Sequence, residues 1–290
     1  MKIAVFGNTY QERYIDGIER LLDTLARRNA RIIMEASFFE YLAQILPEPP
    51  AVEKVIRNHN FDASLALSIG GDGTFLNTAR WIGSKEIPIL GINTGHLGYL
   101  ADASADNLES SLNDIFTGHY RIEPRAVIEA LCPDGGGLSR PRYALNEVAI
   151  MKNDTSSMVD MEALIDGVKL ANYRADGLII STPTGSTAYN LSVGGPIVEP
   201  LAPVWIISPI AAHSLTMRPL VVSDNSTVTV TTRSRSESYR ISLDGNSFSM
   251  EEGTTVIMRR APFVTKVVKL TEHQFIETLR SKLLWGVDKR

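Results

Sequence analysis

The sequence has little cysteine, few aromatic residues and no long hydrophobic run. Of its 290 residues, 7% are aromatic and only Cys132 is a cysteine. A single cysteine cannot form an internal disulfide, which indicates a reducing compartment. No stretch approaches the about 18 apolar residues of a membrane span, because Ser208 and Pro209 interrupt the run at 204–212. The apolar run at 3–6 is too short for a signal peptide. We therefore expect a soluble, cytoplasmic protein.

An excess of one charge is also absent. Lys and Arg total 29 against 33 for Asp and Glu, which gives a net charge of −4 with no block of like charges. This balance disfavours a general nucleic-acid surface, and we expect neither nucleic acid nor a membrane as a partner. At about 150 residues per domain, the length predicts roughly two domains.

Several common catalytic motifs are missing. The sequence has no G-x-x-x-x-G-K-[ST], which excludes an ordinary P-loop, and no G-x-G-x-x-G after its first strand. The G-x-S-x-G elbow of α/β-hydrolases is absent as well. The five histidines are scattered, without the spacing of a zinc site. We therefore predict no metal cage built from side chains.

Residues 1–120 alternate between strand and helix patterns, which predicts an α/β domain with a mostly parallel sheet. Apolar, β-rich runs predict strands at 2–6, 31–34, 65–69 and 87–92. The spacing of apolar residues predicts helices at 14–28, 52–58, 75–81 and 107–116.

Residues 121–270 change to short strands separated by turns. The strands are predicted at 122–131, 143–152, 158–165, 168–172, 227–232, 239–243 and 254–258. Asp166-Gly167 predicts a two-residue hairpin. The pattern is typical of an all-β, sandwich-like C-terminal domain. Residues 272–284 have helical spacing, and we expect this last helix to return to the first domain.

A glycine-rich loop joins a predicted strand to a predicted helix, with the sequence Gly70-Gly71-Asp72-Gly73-Thr74. It follows the carboxyl end of the strand, where open α/β sheets bind ligands, and its N–H groups suit a phosphate. A carboxylate in such a cradle makes Asp72 a candidate general base toward a hydroxyl nucleophile. A tight turn with an Asp cap explains the motif equally well. A second glycine-rich loop, at 91–100, follows the next strand.

Two further stretches carry groups that suit a nucleotide. Asn146-Glu147 falls inside a predicted strand, and this amide and carboxylate could contact an adenine edge and a ribose diol. An ordinary polar strand position explains the pair as well. Residues 181–192 form a turn rich in Ser and Thr between a buried strand and Gly194-Gly195. Such a run could bind sugar hydroxyls, an adenine or phosphates.

Together these stretches resemble the NAD kinase family, and the resemblance extends over most of the chain. It rests on G-G-D-G-T at 70–74, N-E at 146–147 and D-G-x-x-x-S-T-P-T-G-S-T-A-Y at 176–189, with further matches at 93–100, 213–219 and 243–245. The resemblance implies an α/β domain at 1–120 with 271–290, and an all-β NAD-binding domain at 121–270. It also implies ATP-dependent phosphorylation of the 2′-hydroxyl of the adenosine ribose of NAD, which gives NADP. The family usually has D-G-Q where this chain has Asp244-Gly245-Asn246.

The resemblance also implies roles for individual residues. Asp72 would take the proton from the hydroxyl, in a phosphate loop formed by Gly70, Gly71, Gly73 and Thr74. The residues implied to bind NAD are Asp72, Gly73 near phosphate, Asn146 and Glu147 on the adenosine, Arg174 and Asp176 at the distal nucleotide, Thr187, Ala188, Tyr189, Asn190, Leu191 and Ser192 in the adenosine pocket, Ala211 nearby, and Asn246. A divalent cation, most simply Mg²⁺, would accompany ATP. A neighbouring subunit would complete the site, which implies a homodimer or homotetramer.

Two other functions stay open at this point. One is a different kinase with the G-G-D-G-T motif, acting on a lipid or a sugar. The other is a non-catalytic protein that senses NAD(H) on the same scaffold. The sequence also leaves open whether NADH replaces NAD and whether polyphosphate replaces ATP.

Overall fold

The computed structural model describes residues 1–10, 14–94, 98–104, 107–133, 138, 140, 142–153, 157–270 and 275–283. The chain divides into two compact units, one formed by Met1–Pro124 with Thr265–Arg290 and the other by Arg125–Val264. Each unit has its own hydrophobic core. None of the helices in the described ranges has the length and apolarity that crossing a membrane requires.

The secondary structure comprises helices, concentrated in the first unit, and strands in both units. The helices are α1 (Ile15–Arg27), α2 (Ala36–Ile45), α3 (Asp72–Ile82), α4 (Leu108–Thr117), α5 (Tyr189–Ser192) and α6 (Phe275–Leu283). The strands up to residue 125 are β1 (Lys2–Gly7), β2 (Arg31–Glu35), β3 (Lys54–Ile56), β4 (Leu65–Ile69), β5 (Ile89–Asn93), β6 (Ala103–Ser104) and β7 (Arg121–Arg125). The later strands are β8 (Ile128–Leu131), β9 (Arg142–Ala144), β10 (Glu147–Lys152), β11 (Val159–Ile165), β12 (Val168–Ala175), β13 (Gly177–Ser181), β14 (Val204–Ile210), β15 (Leu220–Ser223), β16 (Val228–Arg233), β17 (Ser238–Leu243), β18 (Asn246–Glu251), β19 (Thr255–Arg260) and β20 (Thr265–Lys269).

The first unit is built on a sheet in the order β3-β2-β1-β4-β5-β20-β7, with β6 paired to β5. The pairs β1–β2, β1–β4, β2–β3, β4–β5, β5–β6 and β5–β20 are parallel. The helix α1 buries Ile18, Leu21 and Leu25, one face at helical spacing, in the same core as Ile3 and Val5 of β1. Parallel strands joined by helices confirm the predicted α/β N-terminal domain.

The second unit consists of two antiparallel sheets. One has the order β15-β14-β13-β10-β17-β18 and the other β12-β11-β16-β19-β8-β9. Both sheets contribute to one core, for example through Val148 and Ile180 from the first and Met161 and Val230 from the second. This arrangement confirms the predicted all-β sandwich. The predicted hairpin at Asp166 is also present, because Ile165 pairs with Val168.

Three predicted elements differ from the structure. The predicted helix at 52–58 is wrong, because β3 lies there and pairs with β2 at the edge of the sheet. The predicted strand at 122–131 is split into β7 and β8, which belong to different sheets. The predicted strand at 143–152 is split into β9 and β10, again in different sheets.

The helices differ mainly in their limits. The helix predicted to begin at residue 75 begins at Asp72, so the aspartate lies in its first turn. The helix α2 has no counterpart among the predicted elements. The last helix is present as α6, with 272–274 and 284 of the predicted range outside the described residues.

Candidate active site

Asp72 is the first residue of α3 and lies two glycines after the end of the fully buried strand β4. Between them Gly70 has φ 144°, a conformation that residues with a side chain rarely adopt. The Gly70 N–H donates to the carbonyl oxygen of Ile92 on β5 at 2.9 Å. This turn brings Asp72 and the first N–H groups of α3 to the carboxyl end of the parallel sheet, where anions bind readily.

Two backbone N–H groups hold the Asp72 carboxylate. The Tyr99 N–H donates to Oδ2 at 2.8 Å, and the Leu100 N–H donates to Oδ1 at 3.0 Å. A Cβ atom on Gly98 would lie 2.6 Å from Oδ1, so a side chain there would displace the carboxylate. Both glycine-rich loops predicted from the sequence therefore meet at Asp72. Residues 95–97 of the second loop lie outside the described residues.

A lysine of α6 approaches the segment that holds Asp72. Lys282 Nζ donates to the Ala101 carbonyl oxygen at 3.4 Å and lies 5.8 Å from the centre of the Tyr99 ring. Burial lowers the pKa of Lys282, and the charge of Asp72 opposes this effect. Burial raises the pKa of Tyr99, and the charge of Asp72 adds to it. Lys282 and Tyr99 also line a cavity of about 340 Å³. The surroundings of Asp72 thus include an ammonium group and a phenol.

In the second unit, Asn146 lies in a loop between β9 and β10. The N–H groups of Leu145, Asn146 and Glu147 all donate to the Asp244 carboxylate, at 2.6, 2.8 and 3.1 Å. The Asn146 carbonyl oxygen accepts from the Thr182 N–H at 2.9 Å. At Asn146 these bonds take the place of the backbone hydrogen bonds between neighbouring strands. Asn146 is therefore not in a strand, although the sequence pattern predicts one there. Its backbone is fixed from both sides.

Glu147 begins β10 and titrates near neutral pH. Burial first, and then the charge of Asp244, raise its pKa to about 7, while a hydrogen bond from the Tyr189 backbone lowers it. Within the described part of the chain, Glu147 Oε2 is buried without a hydrogen-bond partner. Buried polar atoms in native proteins nearly always have partners, so this oxygen marks a position where a ligand can bond.

The Ser/Thr-rich run at 181–192 uses buried hydroxyl groups inside the unit. Ser181 Oγ donates to the Thr182 carbonyl oxygen at 2.9 Å, and Thr182 Oγ1 donates to the Leu145 carbonyl oxygen at 2.6 Å. Ser186 Oγ donates to the Val198 carbonyl oxygen at 3.3 Å. These three hydroxyls hold the turn and the Asn146 loop in place.

The second half of this run contains the predicted adenosine-pocket residues. Tyr189 and Ser192 are exposed, Thr187, Ala188 and Leu191 are half-buried, and Asn190 is fully buried. The Asn190 Nδ2 donates to the carbonyl oxygens of Ser186 and Pro196, each at 3.1 Å, and its Oδ1 accepts from Ser208 Oγ at 2.7 Å. The Asn190 amide therefore stabilises the loop, and its neighbours have the surface that a ligand can reach.

Arg174, Asp176 and Ala211 lie together at the end of β12. Backbone hydrogen bonds join residues 174–176 to residues 210–213. The Asp176 carboxylate forms an ion pair with Lys152 at 2.7 Å, while the Arg174 side chain is largely exposed. Ala211 has φ 46°, in the left-handed region, and is exposed.

The predicted site residues thus form three groups. The first unit holds the 70–74 loop with Asp72. In the second unit, Asn146, Glu147 and Asn246 flank the Asp244 turn, and the run at 187–192 adjoins them through the hydrogen bond from the Tyr189 backbone to Glu147. Arg174, Asp176 and Ala211 form a separate group. No cluster of three or more His, Cys, Asp or Glu able to hold a metal occurs within the described residues.

The predicted site does not include Gly98, Lys152, Asp244 or Lys282, which contact these groups or the segment that holds Asp72. The Asp244-Gly245 dipeptide is a recognisable turn signal, although it does not indicate which backbone the carboxylate would reach. Gly98 is one of several glycines in its loop. The two lysines have no local signal, because their partners are distant in sequence.

Two family models and several solved structures match this chain. The models are the ATP-NAD kinase N-terminal domain over residues 3–120 and the ATP-NAD kinase C-terminal domain over residues 145–270. Yeast NADH kinase complexed with NADH has the same fold, with a TM-score of 0.89 and 21% identity over 100% of this chain and 89% of that chain. An NAD kinase from Archaeoglobus fulgidus in complex with ATP matches with a TM-score of 0.73 and 25% identity, over 97% of this chain and 99% of that one.

Curated relatives agree with this chain along its whole length. The NAD kinase of Bacteroides fragilis is 46% identical over 290 residues, which is 100% of both chains. The NAD kinase of Porphyromonas gingivalis is 40% identical over 289 residues, which is 100% of this chain and 99% of the relative. The agreement includes both units. The protein therefore belongs to the NAD kinase family.

Proposed function

We propose that this NAD kinase transfers the γ-phosphate of ATP to the 2′-hydroxyl of the adenosine ribose of NAD, with Asp72 as general base. The carrying observation is the Asp72 carboxylate, held at the start of α3 by two backbone N–H donors. Each carboxylate oxygen has two lone pairs, so each keeps an acceptor position after these bonds. Asp72 takes the hydroxyl proton as O2′ bonds to the γ-phosphorus, and the bond to the β,γ-bridging oxygen breaks to release ADP.

The glycine-rich loop before α3 binds the phosphates in this proposal. Gly70, Gly71, Gly73 and Thr74 surround Asp72, and the helix start supplies N–H groups and a positive dipole end. Gly73 is exposed, and a Cβ atom there would meet nothing within 4 Å. A phosphate can therefore approach this backbone closely.

The second unit recognises NAD. The support for adenosine binding is Glu147 Oε2, a buried acceptor without a partner among the described residues. Asn146 lies beside it, and the exposed Tyr189 ring offers an apolar face for a base. The remaining pocket residues in the proposal are Thr187, Ala188, Leu191, Ser192 and Asn246. Arg174 and Asp176 bind the distal nucleotide, next to Ala211.

A divalent cation accompanies ATP. Mg²⁺ usually keeps several waters and is bound through substrate phosphates with one or two carboxylates, rather than by a dedicated protein cage. Asp72 supplies oxygen atoms of the kind that this ion prefers, within the loop proposed to bind the phosphates. The cation would neutralise phosphate charge that develops during transfer.

We further propose that the enzyme is a cytoplasmic homodimer or homotetramer in which a neighbouring subunit completes the NAD site. The support is the resemblance to a family whose sites are completed in this way, and the preference of homo-oligomers for closed symmetry. The Cys132 thiol is buried and forms no disulfide, which fits a reducing compartment.

Replacement of the base tests the proposed function. Asp72→Asn should lower kcat by about 10²- to 10⁴-fold with little change in KM for NAD, because the amide cannot accept the proton. The assay supplies ATP, Mg²⁺ and NAD and detects NADP with an NADP-specific dehydrogenase. The matched control is Asp62→Asn, which makes the same chemical change at an exposed ion pair with Lys2. Near-normal turnover by Asp72→Asn would refute the base, and no NADP from the unaltered enzyme would refute the function.

A further inference from the structure

Asp244 lies in the tight turn between β17 and β18. Leu243 pairs with Asn246, so Asp244 and Gly245 form a two-residue turn. Their φ values of 47° and 84° are both positive, as in a type I′ turn. Aspartate tolerates this conformation better than most residues with a side chain. The turn thus fixes the backbone of Asp244 at the end of a hairpin.

The Asp244 carboxylate leaves its own hairpin and accepts three consecutive N–H groups. Oδ2 accepts from Leu145 at 2.6 Å, and Oδ1 accepts from Asn146 at 2.8 Å and Glu147 at 3.1 Å. In the reverse direction, the Asp244 N–H donates to the Glu147 carbonyl oxygen at 3.2 Å. Hydrogen bonds to a charged group are stronger than neutral ones, so this carboxylate is the main anchor of the loop on its N–H side.

The carbonyl side of the same loop is also held. Thr182 Oγ1 donates to the Leu145 carbonyl oxygen at 2.6 Å, and the Thr182 N–H donates to the Asn146 carbonyl oxygen at 2.9 Å. A Cβ atom on Gly185 would lie 2.1 Å from the Asn146 carbonyl oxygen, so the loop is packed against backbone there. The backbone of Asn146 therefore has one defined position, provided that Asp244 keeps its charge.

We propose that Asp244 is a positioning residue for NAD recognition: from its turn it holds the Asn146–Glu147 backbone so that both side chains face the adenosine. This inference rests on the proposed role of Asn146 and Glu147 in binding NAD. Asp244 touches neither substrate nor reacting atoms in this account. Its charge also acts on Glu147 directly, since it is the second cause of the raised pKa of that carboxyl group.

Two substitutions separate the turn from the carboxylate. Asp244→Gly keeps the left-handed backbone and removes the side chain, and Asp244→Asn keeps the shape but loses the charge and one acceptor. Both should raise KM for NAD by about 10- to 100-fold, with kcat changed much less, because the N–H groups lose a charged partner. Asp244→Asn should also shift the pH dependence of KM to lower pH, because the pKa of Glu147 falls when the neighbouring charge is removed. A purely structural turn residue would not move this profile.

Asp166 provides the matched control. It begins another Asp-Gly turn of the unit, with φ 50° followed by 78° at Gly167, and its carboxylate accepts from the Thr227 N–H at 2.8 Å. Asp166→Gly and Asp166→Asn therefore make the same turn changes away from Asn146, and KM for NAD should stay as in the unaltered enzyme. Thermal unfolding of all variants shows whether the fold is kept.

The possible outcomes distinguish the positioning role of Asp244 from the proposed binding of NAD by Asn146 and Glu147. If Glu147→Gln and Asn146→Ala raise KM but the Asp244 variants do not, the positioning role is wrong and the NAD site stands. If none of these variants changes KM, the proposed NAD contact itself is wrong. Hydrogen exchange on the unaltered protein needs no variant: the N–H groups of Leu145, Asn146 and Glu147 should exchange slowly, and fast exchange would overturn the inference.

Discussion

The Glu147 carboxyl group should make the free energy of unfolding fall as pH rises, whereas most carboxyl groups in folded proteins make it rise. Its pKa is raised from 4.5 to about 7, first by burial and then by the charge of Asp244. Between these values the folded protein keeps a proton that the unfolded chain has released. The free energy of unfolding therefore falls as pH rises through this window and is level above about pH 7. At about 1.4 kcal/mol per pKa unit, the full effect is about 3 kcal/mol.

Glu147→Gln removes this titration and keeps the size of the side chain. Because glutamine stays neutral, the variant should resemble the unaltered protein near pH 4.5 and exceed its stability by up to about 3 kcal/mol at pH 8. Urea unfolding at both pH values gives the difference, and hydrogen exchange of β10 reports the second unit. Glu162→Gln is the control, because Glu162 is an exposed partner of Lys169 with a lowered pKa. A stability difference that is the same at both pH values would refute the reasoning.

The same variant should bind NAD more weakly while being more stable at pH 8. A site that forms a hydrogen bond to a hydroxyl or amide of its ligand loses affinity when the protein group that makes this bond is replaced. We therefore expect KM for NAD to rise about 10-fold or more in Glu147→Gln. Gain of stability with loss of affinity is typical of a group retained for function. An unchanged KM would show that Glu147 makes no contact with the substrate.

Two further predictions concern Asp72 and the assembly. Gly98→Ala should lower kcat by about 10- to 100-fold with the fold retained, because the new Cβ atom would lie 2.6 Å from Asp72 Oδ1. The coupled assay measures kcat, and thermal unfolding shows whether the fold is kept. Normal turnover by this variant would contradict the prediction. Light scattering should give two or four times the chain mass, and specific activity should fall on dilution; a monomer active at every concentration would exclude the shared site.

The first unit and the Asp72 loop follow from local sequence. The buried run of β4, the glycines after it and the helical spacing beyond are adjacent in the chain, so the strand, turn and helix can each be recognised. Even here the start of α3 is missed, because its first turn contains Gly73, and glycine has low helix propensity. The strand β3 is missed for a different reason, because it forms by pairing with β2 and its own sequence pattern does not indicate a strand.

The structure around Asn146 cannot be predicted from local sequence. Residues 143–152 have a strand pattern, but the three N–H groups that break it bond to a carboxylate 97 to 99 positions further along the chain. Likewise, the Tyr99 N–H that holds Asp72 is 27 positions away, and Lys282 comes from the last helix. Periodicity records which face of an element is buried, and it carries no information on such pairings.

The hydrogen bonds that hold the Asp72 carboxylate also affect the interpretation of Asp72→Asn. An asparagine has one acceptor oxygen, so in Asp72→Asn one of the N–H groups of Tyr99 and Leu100 faces an amide NH₂ and loses its partner. Loss of turnover in this variant therefore combines a missing proton acceptor with a disturbed loop. Gly98→Ala disturbs the same carboxylate and leaves the acceptor in place. If proton acceptance dominates, Asp72→Asn should be at least 10-fold worse than Gly98→Ala, and the double variant should be no worse than Asp72→Asn alone. Equal losses in the two single variants would assign the effect to loop order instead.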